Sequence, residues 1–263
     1  MDSFEKNIEQ TDETILVKMV IDAFRRIVVH YGLWFAEVEH QLGMEKAVEV
    51  EQEVWDTSLN NQMKRLAKTL DFSFDKGICG VIKSIPKEDL FNLIKNIGVN
   101  WLANDGIWFQ AVEKKFGMFD AKRCNDTCWT RFSPFEASRI KEMLNLPEKG
   151  GIPALKKALS FRMYAFINKQ SIEDIDDESI IFRMNDCRVQ AARKQRGLPD
   201  YPCKSAGMVE YPYFARTIDP EIHTECIGCP PDEHPKEWFC AWKFTLLKTP
   251  ANPPDRDNSV SPT

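Results

Sequence analysis

YGLWFAEVEHQLGMEKAVEVEQEVW (residues 31–55) lies over DGIWFQAVEKKFGMFDAKRCNDTCW (residues 105–129) at a constant offset of 74 positions, without a gap. The identities are Gly32/Gly106, Trp34/Trp108, Phe35/Phe109, Val38/Val112, Glu39/Glu113, Gly43/Gly117, Met44/Met118, Ala47/Ala121 and Trp55/Trp129. Arg65/Arg139, Leu70/Leu144, Gly77/Gly151 and Ile78/Ile152 follow. Two tryptophans matched at one offset mark a duplicated unit. Working outward, Val17, Val20, Ile21, Phe24, Ile27 and Val28 recur at helical spacing, so residues 13–42 and 88–116 read as helices. Gly43 and Gly117 fall where a left-handed helix terminus wants a residue without Cβ, and a second helix follows each. Ser133-Pro134-Phe135-Glu136 has an N-cap serine, proline at the first helical position and glutamate at the third, which predicts a third helix from there to about Leu146. Duplicated helical units of this kind pack as an antiparallel bundle. Residues 1–170 are therefore read as a helical domain, with repeats at about 13–78 and 87–152.

The repeat also sorts candidate residues. Cys124 and Cys128 stand where the first copy has Val50 and Val54, so the i, i+4 pair reads as core packing rather than metal ligation. Glu39 and Glu113 share a helical face with Phe35 and Leu42, and with Phe109 and Phe116. A carboxylate among large apolar groups needs a partner or becomes neutral. The partner is either the matched Arg65 or Arg139, or the two glutamates form a pair fit for a metal or for acid–base work. His40 has no counterpart in the second copy, where Lys114 stands, which argues against a symmetric two-metal site.

The whole chain has 263 residues, 43% hydrophobic and 29% charged, an ordinary globular balance that excludes a mostly disordered chain. A net charge of −5 offers no basic excess for nucleic acid. No apolar run reaches the roughly 18 residues of a spanning helix, and the start MDSFEKNIEQTDET is acidic and unlike a secretory signal. A cytoplasmic protein is expected, with no membrane partner. In that compartment eight cysteines point to metal before disulfides. Five of them (Cys187, Cys203, Cys226, Cys229 and Cys240) cluster late in the chain.

Past a helical stretch at 151–168, the polar run SIEDIDDES marks a domain boundary. SIIFRMNDC reads as a strand, RVQAARKQRGL as a short basic helix ended by Gly197, and PCKSAGMVEYPYFARTID as a further helix. EIHTECIGC is extended, PPDEHP a turn, and EWFCAWKFTLL a strand. This order predicts an α+β module over 171–248 with a mainly antiparallel sheet. The tail, 249–263, reads as disordered. Cys226-Ile-Gly-Cys229, Cys240 on the return strand and Cys203 at the start of the preceding helix can close a tetrahedron around zinc. An iron–sulfur cluster is the alternative, since thiolates alone serve both. Cys187, at a strand-to-helix junction with Arg188 and Arg193 nearby, is a packed thiol, a fifth ligand or a reactive nucleophile. His234 could replace one thiolate, and His223 alternates with Glu225.

The pattern of an initial cysteine, a helix with glycine, a ligand pair two residues apart and a cysteine before a Phe-rich strand resembles the 4-vinyl reductase-type domain of phenol-sensing activators. Those domains hold zinc with three cysteines and a glutamate beside a ligand pocket. The resemblance implies that Cys203, Cys226, Cys229 and Cys240 are the ligands, with Cys226 in the place of the glutamate, and the turn before Cys240 is longer here. The region is also similar to L-2-amino-thiazoline-4-carboxylate hydrolase-like proteins. With WF-x-x-VE, CRVQAARK, DYPCKS and ECIGCPPDEHP, the chain looks like an uncharacterised family of bacterial and archaeal cytosolic proteins that carry a domain of unknown function.

Three functions follow as expectations. The first is a metal-stabilised module binding a small aromatic or heterocyclic molecule, with Trp34, Trp108, Trp129, Tyr211 and Phe214 as pocket walls. The second is a hydrolase of a C–N bond in a small cyclic substrate, using Cys187, Glu39 or Glu113. The third is an iron–sulfur protein. A small molecule is the expected partner, and a homodimer is left open. No Gly-rich phosphate loop, Ser-centred elbow or HExxH is found.

Overall fold

The computed structural model describes residues 11–75 and 77–247. The chain divides into two compact units at Ser84/Ile85. The tail expected to be disordered, from residue 249, lies outside the described residues.

The first unit is a helical hairpin, α1 (Glu13–Leu42) and α2 (Met44–Leu70), followed by the two-residue strands β1 (Phe74–Asp75) and β2 (Ile78–Cys79) and the short α3 (Gly80–Lys83). Gly43 alone separates the long helices. Its N–H donates to the Glu39 carbonyl, and its own carbonyl accepts from Ala47. The hinge is not the left-handed helical terminus expected from the sequence: φ is 89° and ψ 163°, an extended mirror conformation that only glycine enters cheaply.

The second unit opens with the second copy, α4 (Lys87–Phe116) and α5 (Met118–Met143), hinged at Gly117 with φ 90° and ψ 170°. The duplication is visible in bonds as well as in letters. Tyr31 Oη donates to Glu51 Oε1 at 2.9 Å, and Asn125 Nδ2 donates to Asp105 Oδ1 at 3.4 Å. These two bridges join equivalent positions of the two hairpins.

Beyond the hairpin come α6 (Gly151–Leu159), a 3-10 turn at Met163–Phe166, strands β3 (Lys169–Asp176) and β4 (Ser179–Asp186), helices α7 (Arg188–Gln195) and α8 (Lys204–Ile218), and strands β5 (Ile222–Gly228) and β6 (Cys240–Leu246). The sheet order is β3-β4-β6-β5, antiparallel throughout. The fold is thus α+β, mostly helical, with antiparallel sheets. Alternation along β4 and β6 turns Ile180, Phe182, Met184, Trp242 and Phe244 to one face. Tyr211, Phe214, Ala215 and Ile218 of α8 cover that face, with Leu155 and Leu159 of α6 and Ala137 and Ile140 of α5 in the same core. Each large side chain so buried contributes about 1.5–3 kcal/mol.

The second helical copy shares this core, and the two compact units meet at Ser84/Ile85. Two expectations are corrected. The acidic run, read above as polar boundary sequence, is β3, an edge strand whose charges guard an open edge. Ser133-Pro134 starts no new helix: α5 runs through Pro134. An internal proline costs about 3 kcal/mol, a loss opposed here by burial of Ser133, Pro134, Glu136, Ala137 and Ile140 along the same face. Among the described residues, no helix is long and apolar enough to cross a membrane.

Candidate metal centre

The late cysteines come together at one end of the sheet because four elements terminate there. Cys187 caps α7 at the end of β4, Cys203 caps α8, Cys229 follows β5, and Cys240 opens β6. Cys229 Sγ stands 3.8 Å from Cys203 Sγ. Contact with Cys229 holds the Cys203 thiol below its usual range against the opposing effect of burial, and the Gln190 amide adds to that lowering. Contacts with Cys203 and then Cys240 push Cys229 up. Cys203 is therefore the first of the pair to become a thiolate, with Cys229 as the donor to it. Gln190, fully buried, grips the loop: its Nε2 lies 2.9 Å from the Tyr201 carbonyl and 3.3 Å from Cys203 Sγ, and its Oε1 accepts from the Tyr201 N–H at 2.8 Å. The Lys204 N–H donates to the Pro230 carbonyl at 2.8 Å, tying the start of α8 to the turn after Cys229.

Cys226 stands opposite Trp242 in the β5–β6 ladder, which puts it on the core-facing side with Cys240 as its diagonal neighbour. It is only half-buried, and a register shift separates it from Gly228. Among the described residues, no group of three or more His, Cys, Asp or Glu side chains is in place to hold a metal ion. All eight cysteines are free.

The remaining candidates are scattered. Burial pushes the Cys187 thiol up to about 12, so it stays protonated at neutral pH and is a poor nucleophile. Glu39 in the first unit and Glu113 in the second are half-buried, not sealed in a core. Arg139, one expected partner of Glu113, pairs instead with Glu142 at 2.5 Å. Cys124 and Cys128 are exposed, as are Val50 and Val54, so the stripe expected to face a core faces solvent in both copies. His234 lies 3.4 Å from Asp200, and its Nδ1 is 2.9 Å from the Pro235 carbonyl.

The five expected pocket walls differ in their surroundings. Trp34 and Trp108 are 63% and 68% exposed. Trp129 stacks on Tyr164 at 5.7 Å, Tyr211 stacks on Trp242 at 4.7 Å, and Phe214 is fully buried. A surface concavity opens beside the edge strand, lined by Ile152, Pro153, Lys156, Asp174, Ile175, Asp176 and Asp177.

A family of unknown function (DUF6125) matches residues 9–86 and 83–246, nearly the whole chain. The chain belongs to the DUF6125 family. No curated protein and no solved structure matches it.

This DUF6125 chain also holds a charged cluster that sequence reasoning missed. Arg162, only 2% exposed, sits between two buried glutamates. Its Nε donates to Glu136 Oε2 at 2.8 Å, and an Nη lies 2.8 Å from Glu210 Oε1 in an ion pair off the hydrogen-bond line. The guanidinium lies 4.6 Å from the Phe214 ring centre and 5.6 Å from that of Tyr211. Burial raises the Glu210 carboxyl above its ordinary range despite Arg162. The cluster pins α5 and α8 to the 3-10 turn, where the Met163 N–H donates to Glu136 Oε1 at 3.2 Å. Its members stand far apart in sequence, in a helix middle, a short turn and another helix. The one signal was a lone arginine in the apolar run Phe161-Arg162-Met163.

Proposed function

We propose that Cys203, Cys226, Cys229 and Cys240 hold a zinc ion that fastens the strand ends to the start of α8. On this reading, the DUF6125 chain uses the fastened module to bind a small aromatic or heterocyclic molecule. The observation that carries the metal is the 3.8 Å separation of the Cys203 and Cys229 sulfurs. Two sulfurs each about 2.3 Å from zinc in a tetrahedron stand about 3.8 Å apart, whereas a disulfide would need about 2.05 Å. Cys240 touches Cys229. Cys226 is the diagonal neighbour of Cys240 on one sheet face, a backbone spacing of about 7–8 Å that the two side chains can close toward one ion.

Half-buried aromatic groups near these cysteines support the ligand reading. Tyr201, Trp238 and Phe239 stand there, and Trp238 presses so closely on Gly228 that a Cβ at that glycine would lie 3.1 Å from its ring. These take the place of the walls first expected. A hydrolase acting on a C–N bond is the weaker reading, because burial keeps Cys187 protonated. An iron–sulfur cluster draws on the same four donors.

Metal analysis with native mass spectrometry of freshly purified protein tests this. Colourless protein with one zinc per chain is expected. A visible charge-transfer absorbance would replace zinc with iron–sulfur. Cys229→Ala is expected to release the ion and open the module to proteolysis, while Cys187→Ala keeps both fold and ion. The reverse pattern, or wild-type protein without metal, would overturn the ligand set.

A further inference from the structure

We propose that the first helical hairpin is a self-association surface, and that its occupant is the same hairpin of a second copy of this chain, set antiparallel so that four helices close into a bundle. The need for an occupant is physical. No residue of α1 is buried, yet Val20, Ile21, Phe24, Ile27, Val28 and Trp34 fall along one face of it and are 43–71% exposed. Along α2 only Ala47 and Glu51 are buried. A long helix with an apolar stripe gains most of its stability from covering that stripe.

The second hairpin shows what a covered version looks like. The positions equivalent to Phe24, Ile27 and Val28 are Gly98, Trp101 and Leu102. Leu102 is buried, Trp101 packs on Trp129 and Tyr164, and a Cβ on Gly98 would meet Ile167 at 3.1 Å. The chain's own 3-10 turn and its flank thus cover that face in the second unit, and the first unit's described residues contain no such segment.

Charge selects the occupant. At the open end of the first hairpin, residues 12–30 and 57–71 carry six bases (Lys18, Arg25, Arg26, Lys64, Arg65 and Lys68) against four acids (Asp12, Glu13, Asp22 and Asp71), a net positive end. At the turn end, residues 31–56 carry seven acids against the single base Lys46. Such a hairpin is complementary to itself when reversed, as a two-fold interface requires: the acidic turn of one copy meets the basic open end of the other at both ends of the bundle. The second hairpin has no such gradient to answer it. Its turn end, residues 105–130, balances four acids with four bases. Complementary potentials of this kind set orientation and suppress wrong pairings.

Sedimentation equilibrium on the full chain, with circular dichroism alongside, tests the proposal. Wild-type protein is expected to be a dimer at micromolar concentration and to weaken as salt rises from about 0.1 M to about 1 M. Ile21→Glu with Val28→Glu places charge on the two most exposed stripe positions and is expected to weaken the dimer at least ~100-fold without loss of helix signal. Arg25→Glu with Arg26→Glu, which leaves the stripe intact, is expected to weaken it about tenfold. Trp108→Ser in the second hairpin leaves it unchanged. A wild-type monomer at about 100 µM, a dimer indifferent to both double substitutions, or one broken by Trp108→Ser alone would overturn the proposal.

Discussion

Arg162 decides whether two buried carboxylates are tolerable. With its guanidinium between Glu136 and Glu210, the two acids share one counter-charge inside an aromatic wall. Removing one partner of a buried ion pair costs about 3–5 kcal/mol because a charge is left without compensation. Arg162→Met is expected to lose that much at neutral pH. The Glu210 carboxyl, already raised by burial, would in the variant lose the guanidinium that opposes the rise, so its folded pKa stands above the unfolded one. A group raised in this way contributes stability below its unfolded pKa and loses it as pH rises through the folded one. The deficit should therefore shrink as pH falls from about 7.5 to about 5, read as urea midpoints of variant against wild type. A deficit that grows in acid would refute this account of the triad. At this scale the sequence exposed the cysteines and hid the arginine. A thiol has few roles, so five cysteines within 54 positions point to one another. An arginine has many roles, and its partners lie 26 and 48 positions away.

Among the elements, α8 is the one whose placement makes the rest possible, and it comes that close to the sheet through Gly207. A Cβ there would stand 2.4 Å from Trp242 Cζ2, on a ring that is fully buried and cannot swing aside. Gly207→Ala is expected to push α8 off β6 and to cost about 1–3 kcal/mol by overpacking, seen as a lower thermal midpoint. Because Cys203 caps the same helix, its geometry to Cys229 should loosen too, with faster thiol labelling at Cys203. An unchanged midpoint would mean that the helix does not need so close an approach. The long helices and their hinges were legible because periodicity and a repeated glycine act locally. β3 was not, since an edge strand carrying Glu173, Asp174 and Asp176 has the composition of a loop until its pairing with β4 is known. Continuation of α5 through Pro134 was hidden for a related reason. A capping pattern is local, and burial of Ala137 and Ile140 against distant elements overrides it.

For the molecule as a whole, the repeat is equal in sequence and unequal in circumstance. Both hairpins expose the same tryptophan, Trp34 and Trp108, yet only the second contributes to a core, because the α+β elements follow it in the chain and close over Ala137 and Ile140. A fragment beginning at residue 85 keeps every member of that core, which runs from Ala137 to Phe244. It is expected to unfold cooperatively, with a denaturant midpoint close to that of the second unit in the full chain, and to keep the slow thiol chemistry of buried Cys229 and Cys240. The described residues up to 84 show no comparable core: Ala47 and Glu51 are the buried residues of their long helices. Alone, they should be helical only at concentrations where copies associate, so that helix signal falls on dilution, whereas the larger fragment is indifferent to concentration. Helix content in residues 1–84 that is unchanged on dilution to the nanomolar range would show that the hairpin stands without a partner. A non-cooperative larger fragment would show that the two units fold as one. Either result would separate this division of labour from the proposed metal site, whose four cysteines lie wholly in the second unit.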